Sequence, residues 1–173
     1  MKNYQCKISK QINKVEIEET VTSIGTNAFD GMTSLKTISI HDKITSIGDY
    51  SFRSSGITEI NLNKVKTIGQ SSFESCSSLT TVTMSSSTEF TTISTNAFKS
   101  CIELTSIEIP STVDVIANNA FDFCIALMNI TYKGKHQPSY CSTTAFPNSQ
   151  FAKVTVTKDY VDDSFCGLPV TTN

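Results

Sequence analysis

The groups in this chain that could do chemistry are few: two histidines, His41 and His136, six cysteines, and hydroxyls and carboxylates spread along its length. His136 lies five residues before Cys141, but nearness in sequence does not make a nucleophile and its base. Neither histidine sits in a nucleophile elbow, a metal motif or a cysteine-protease signature. Metal sites draw on ligands such as paired cysteines a few residues apart, and no such pair occurs. The glycines are solitary, so no loop is built to cradle a phosphate. These absences predict no enzyme, no cofactor and no metal. Asn129, Ile130 and Thr131 spell a glycosylation sequon. It falls on a predicted strand and reads as a chance match, of consequence only in a secreted protein.

The cysteines point instead to organisation. Cys76, Cys101 and Cys124 are 25 and 23 residues apart, each three residues after a phenylalanine. A small residue followed by Phe recurs at Ala28/Phe29, Ser51/Phe52, Ser72/Phe73, Ala97/Phe98, Ala120/Phe121 and Ala145/Phe146, at intervals of 23, 21, 25, 23 and 25. A fixed period in this range marks a solenoid, whose units bury their apolar faces only against one another.

Other slots repeat in step. Val21, Ile44, Val65, Phe90 and Val113 are each followed three residues later by Ile24, Ile47, Ile68, Ile93 and Ile116. Gly25, Gly48, Gly69, Ser94 and Ala117 come next, and because Ser and Ala share that slot, smallness is required there rather than positive φ. After each Phe stand Leu35, Ile57, Leu79, Leu104, Leu127 and Phe151. Alternating pairs follow: Ile38/Ile40, Ile60/Leu62, Val82/Met84, Ile107/Ile109, Ile130/Tyr132 and Val154/Val156. Short β-branched alternation reads as a half-buried strand, and the intervening residues must face solvent. Those outward positions are Glu16, Thr37, Ser39, Glu59, Asn61, Thr81, Thr83, Ser106, Glu108, Asn129, Thr131, Lys153 and Thr155.

Leu, two spacers, Ile, one spacer, Ile or Leu resembles a leucine-rich repeat. With the following turn, the Ile-Gly pair and Ala-Phe-x-x-Cys, the frame is similar to the BspA-like (Treponema-type) subfamily over roughly residues 12–156. The resemblance implies a β-rich solenoid of α/β-type coils: a concave parallel β-sheet, with short helical or strand turns on the convex side. It further implies a non-catalytic protein-interaction module, linked in that family to surface adhesion and host-protein binding. Its binding residues would lie on the concave face, at Thr37, Ser39, Glu59, Asn61, Thr81, Thr83, Ser106, Glu108, Asn129 and Thr131. A short aromatic and Cys-Gly tail is similar to the endings of such proteins.

One domain over 1–173 is expected, with a partial coil or cap at 1–20, about six repeats over 21–157, and a C-terminal cap over 158–173. In the first coil Ile12, Val15 and Ile17 match strand slots while Cys6 stands where Phe is expected. That edge is either closed by Tyr4 and Ile8 or open to self-association. Repeat two is one residue short after its Phe, with Gly56 taking the tighter turn. Ser85 to Glu89 lengthen another turn and read as a solvated loop. Val154 to Val156 is expected to be the last strand, with Phe165 plugging the final coil.

Formal net charge is −2, from 14 basic and 16 acidic residues, and only 17% of the chain is charged. Nothing basic clusters, so nucleic acid and anionic membranes are not expected partners. Met1 to Lys10 holds no apolar run of signal-peptide length, and no segment approaches a membrane span. The sequence alone therefore defaults to a cytoplasmic product, whereas the resemblance implies the cell surface. The alternative function is an intracellular scaffold or regulatory protein. Cys76, Cys101 and Cys124 should stack as small buried thiols. Cys6, Cys141 and Cys166 lie off that column and leave open a bridge from Cys141 to Cys166 that would pin the C-terminal end.

Overall fold

The computed structural model describes residues 11–148 and 152–172. Each coil contributes one strand to a first parallel face: β1 (Lys14–Val15), β3 (Thr37–Ile38), β5 (Glu59–Asn61), β7 (Thr81–Thr83), β9 (Ser106–Ile109), β11 (Asn129–Tyr132) and β13 (Lys153–Val156). A second face carries the two-residue strands β2 (Ser23–Ile24), β4 (Ser46–Ile47), β6 (Thr67–Ile68), β8 (Thr92–Ile93), β10 (Val115–Ile116) and β12 (Tyr140–Cys141). Registers are in phase with the repeat: Ile130 lies opposite Ile107 and Val154, Ile60 opposite Val82, and Ile47 opposite Ile24 and Ile68. The chain is a β-solenoid of about six turns.

The phenylalanines form a continuous internal stack. Ring centroids from Phe29 through Phe52, Phe73, Phe98, Phe121 and Phe146 are 5.1, 5.2, 5.2, 5.4 and 4.9 Å apart, with planes within 16° of parallel. That is the separation at which offset aromatic pairs attract beyond simple area burial. Leu35, Ile57, Leu79, Leu104 and Leu127 complete the buried column beside them.

The turns around each Phe are not helical, which corrects one of the two expected forms; no helix occurs among the described residues. In the first five coils two positions are left-handed. Two residues before Phe stand Asn27, Tyr50, Ser71, Asn96 and Asn119, and two after it Gly31, Ser54, Ser75, Ser100 and Phe123, all at φ between 53° and 70°. Alternate N–H groups consequently point along the solenoid. Asn27, Phe29 and Gly31 donate to the carbonyls of Asp49, Ser51 and Arg53 in the next coil, while Ala28, Asp30 and Met32 donate back to Gly25, Asn27 and Phe29. A helix would keep every such bond inside one coil, and here half of them stitch coils together.

The glycine slot demands smallness. A Cβ on Gly48 or Gly69 would stand 2.7 or 2.4 Å from backbone of the preceding coil, at Thr26 and Asp49, and neither glycine has positive φ. Gly56 is tighter still, with a Cβ there 2.0 Å from the Thr33 carbonyl oxygen, as the shortened repeat requires. Ser85 departs from the solvated-loop expectation. It is buried and donates to the Val65 carbonyl at 2.5 Å, leaving Ser86, Thr88 and Glu89 at the surface.

At the C-terminal end Val154–Val156 is not the last strand. Ser164–Phe165 (β14) and Leu168–Thr172 (β15) make a hairpin, and β15 adds to the first face in parallel with β13. Cys166 and Gly167, at φ 52° and 78°, supply the two left-handed residues that a two-residue hairpin turn needs. Phe165 is fully buried, 4.7 Å from the Tyr132 ring and 6.0 Å from that of Phe146, so it plugs the last coil as expected. Tyr4, Cys6 and Ile8 lie outside the described residues.

Candidate binding face

Among the described residues the histidines and cysteines are each held by a local partner or by burial. His41 donates from Nε2 to the Glu18 carbonyl at 3.1 Å, and His136 stands 3.9 Å from the Asp162 carboxylate. Cys141, the cysteine nearest His136 in sequence, is joined to Cys166 in a disulfide with Cα atoms 5.4 Å apart. Cys76, Cys101 and Cys124 are free, buried, and hydrogen-bonded through Sγ to the carbonyls of Phe52, Phe73 and Phe98 at 3.0, 3.3 and 3.1 Å. Burial pushes the Cys76 thiol up to about 11 and that of Cys124 to about 12, and drives Cys101 well above the usual range. At neutral pH these are thiols rather than thiolates, hence inert. Among the described residues no three His, Cys, Asp or Glu converge to hold a metal. Among the described residues no helix is long and apolar enough to cross a membrane.

The expected binding residues do come together on the first face. Register aligns Thr37 with Lys14, Glu59 with Thr81, and Ser106 with Asn129 and Lys153 in one column. Asn61 with Thr83, and Glu108 with Thr131 and Thr155, make a second. Nine of the ten are exposed, and Thr131 is half-buried. Thr37, Ser39, Glu59, Asn61, Thr81 and Thr83 line a shallow groove of about 400 Å³; Ser106, Glu108, Asn129 and Thr131 continue the face beyond it. The groove floor is backbone and short polar side chain, because Ile38, Ile40 and Ile60 turn inward.

Charge on this face is mostly neutralised. Glu16 pairs with Lys14 at 2.8 Å and Glu108 with Lys133 at 3.1 Å. Lys14 holds the Glu16 carboxyl below its ordinary range, chiefly through their hydrogen bond. What remains is an array of hydroxyl and amide groups able to donate and accept toward a partner's main chain. Tyr132 points inward, as expected, and is buried.

A charged column on the turn side went unread in the sequence. The residues directly after the first five stacked Phe are Asp30, Arg53, Glu74, Lys99 and Asp122, of alternating sign. Arg53 grips Asp30 through two bonds of 3.0 and 2.7 Å, Lys99 lies 4.0 Å from Asp122, and Asn148 donates to Asp122 at 3.1 Å. Alignment of the repeats carries the signal as alternating charge in one slot.

Stacked coils with parallel sheets, an aromatic spine and an outward polar strand face define a leucine-rich-repeat solenoid. A family model described as "BspA type Leucine rich repeat region" matches six copies over residues 1–91 and 91–165, so the chain belongs to the BspA-type leucine-rich repeat family. Among solved structures it is similar to a leucine-rich repeat protein from Bacteroides ovatus, at 19% identity and TM-score 0.67, over 95% of this chain and 50% of that one. It is also similar to a leucine rich cell surface protein from Faecalibacterium prausnitzii, at 22% identity and TM-score 0.61, covering 84% and 48%. The leucine-rich repeat protein of T. pallidum matches at 18% identity and TM-score 0.62, covering 90% and 80%. The chain thus spans about half the length of the first two. No curated protein matches the sequence.

Proposed function

We propose that this chain is a non-catalytic protein-interaction module, and that it works at the cell surface in adhesion or host-protein binding. The observation that carries this reading is the first face itself: an exposed, nearly neutral polar ladder with a groove through its N-terminal half, bounded by Thr37, Glu59, Asn61, Thr81 and Thr83. Solenoids use such extended faces to bind other proteins. Among the described residues the face presents no Trp, Arg or outward Tyr of the kind that anchors tight interfaces. Single-copy affinity is therefore modest, and many copies on a surface would supply avidity.

The Cys141–Cys166 bridge favours the surface over the intracellular scaffold, because disulfides persist in oxidising compartments and are reduced in the cytosol. The Faecalibacterium neighbour is described as a cell surface protein, which agrees with that reading. The test pairs location with binding. Antibody raised against the chain should stain intact cells. Purified chain, immobilised, should capture surface-biotinylated proteins from host-cell extracts, and Thr81→Arg with Thr83→Arg should abolish capture without changing the circular dichroism spectrum. Staining that requires permeabilised cells would overturn the surface assignment, and capture unaffected by the double variant would move the site off this face.

A further inference from the structure

We infer that a second copy of this chain docks on an apolar patch formed by Ile102, Phe123, Ile125 and Met128, giving a two-fold dimer. The repeats themselves supply the comparison. The slot of Phe123 holds Gly31, Ser54, Ser75, Ser100 and Asn148 in the other coils. That of Ile102 and Ile125 holds Thr33 and Ser77, and that of Met128 holds Lys36, Thr58, Thr80 and Thr105. Small or polar residues thus give way to large apolar ones in two adjoining coils, at positions where the fold makes no demand for them.

The change does not serve the core. Phe123 is 53% exposed, Ile125 65%, Met128 50% and Ile102 38%. Phe123 moreover adopts φ 56°, a conformation that is an outlier for a bulky residue. An aromatic ring held in that region with half its surface in water gains little within the chain.

The size and charge of the patch fit another copy. Its exposed apolar surface is on the order of 400 Å², in the upper part of the range for the largest patch on a monomer. Two patches face to face bury about 800 Å² of apolar surface. With a polar rim they reach the lower end of specific interfaces, about 1,200 Å². Glu103 flanks the patch in the coil of Phe98, and Lys153, whose N–H donates to the Met128 carbonyl, flanks it in the coil of Phe146. Both are exposed, and neither has an ion pair among the described residues. A two-fold axis through the coil of Phe121 sets Glu103 of each copy opposite Lys153 of the other, the self-complementary arrangement an isologous contact requires. The apolar patch lies outside the polar groove and away from the N-terminal edge, with Lys153 at the far end of the first face.

Sedimentation velocity of the whole chain over a wide concentration range tests this. The wild type should pass from monomer to dimer. Phe123→Ser, which installs the residue native to that slot in three other coils, and Ile125→Thr should each weaken the dimer by roughly tenfold or more, with the circular dichroism spectrum kept. Glu103→Lys should weaken it, and Glu103→Lys combined with Lys153→Glu should restore it. A wild type that stays monomeric to its solubility limit, or dimers that survive both apolar substitutions, would overturn the inference.

Discussion

Exchanging Ser72 for alanine should stabilise the solenoid. Ser72 is fully buried and its Oγ has no hydrogen-bond partner, as is also true of Ser51 one coil earlier. Other coils place Ala28, Ala97, Ala120 and Ala145 in the same slot, directly before the stacked Phe. A hydroxyl sealed away from water with no partner costs about 1–3 kcal/mol in lost solvation. Alanine keeps the backbone bond from the Phe52 N–H to the residue-72 carbonyl, 2.8 Å long, and loses nothing else. We expect a gain of about 1–2 kcal/mol, or roughly 3–6 °C in Tm for a chain of this size.

Guanidinium unfolding followed by far-ultraviolet circular dichroism and by tyrosine fluorescence measures the gain. Coincident curves are needed to justify a single free energy in a repeat protein. The reciprocal change, Ala97→Ser, puts a hydroxyl into the equivalent buried site and should lose about as much. A less stable Ser72→Ala, or an Ala97→Ser with no cost, would refute the assignment of an orphaned hydroxyl and point to a buried water in that column.

Three further predictions concern the spine, the thiols and the cap. Phe98→Ala, which interrupts the ring stack between Phe73 and Phe121, should cost about 3–5 kcal/mol in the same assay; a loss under about 1 kcal/mol would contradict the buried spine. The thiol column makes stability fall at alkaline pH. The unfolded Cys76 ionises near 9 while the folded thiol holds its proton to about 11, so the folded state binds more protons across that window. Stability is therefore constant below 9 and drops as pH rises through it, by on the order of 2–3 kcal/mol for Cys76. Cys76→Ala should flatten the decline seen in urea midpoints against pH. Cys141→Ser with Cys166→Ser removes a cross-link spanning 25 residues and should cost about 3 kcal/mol, read as a lower midpoint matched by the wild type under reductant.

Much of the fold was legible because a solenoid writes its contacts at a fixed interval. Once Phe29 and its successors were seen to recur, the inward positions of Ile38, Ile60 and Tyr132 followed from alternation, and the structure buries each of them. Phe165 was readable as a plug because an aromatic near an otherwise open last coil has one apolar surface to cover. The turn conformation was not legible. Asn27, Tyr50 and Phe123 share a left-handed backbone with no common side-chain type, since the ladder between coils imposes it. Strand β15 was missed because Leu168–Thr172 contains Pro169 and alternates poorly, and the Cys-Gly hairpin turn and the pairing with β13 hold it in place.

By itself the sequence determined the period, the inward columns and the polar character of the outward strand positions, because one-dimensional stacking makes each coil answer only to its neighbours. Tertiary structure alone decided whether the bridge left open between Cys141 and Cys166 is made, and which exposed side chains lie side by side. Cys141 and Cys166 meet only after the terminal hairpin folds over the last coil. Ile102 and Phe123 become one surface only when coils 23 residues apart are brought to a spacing of about 4.8 Å.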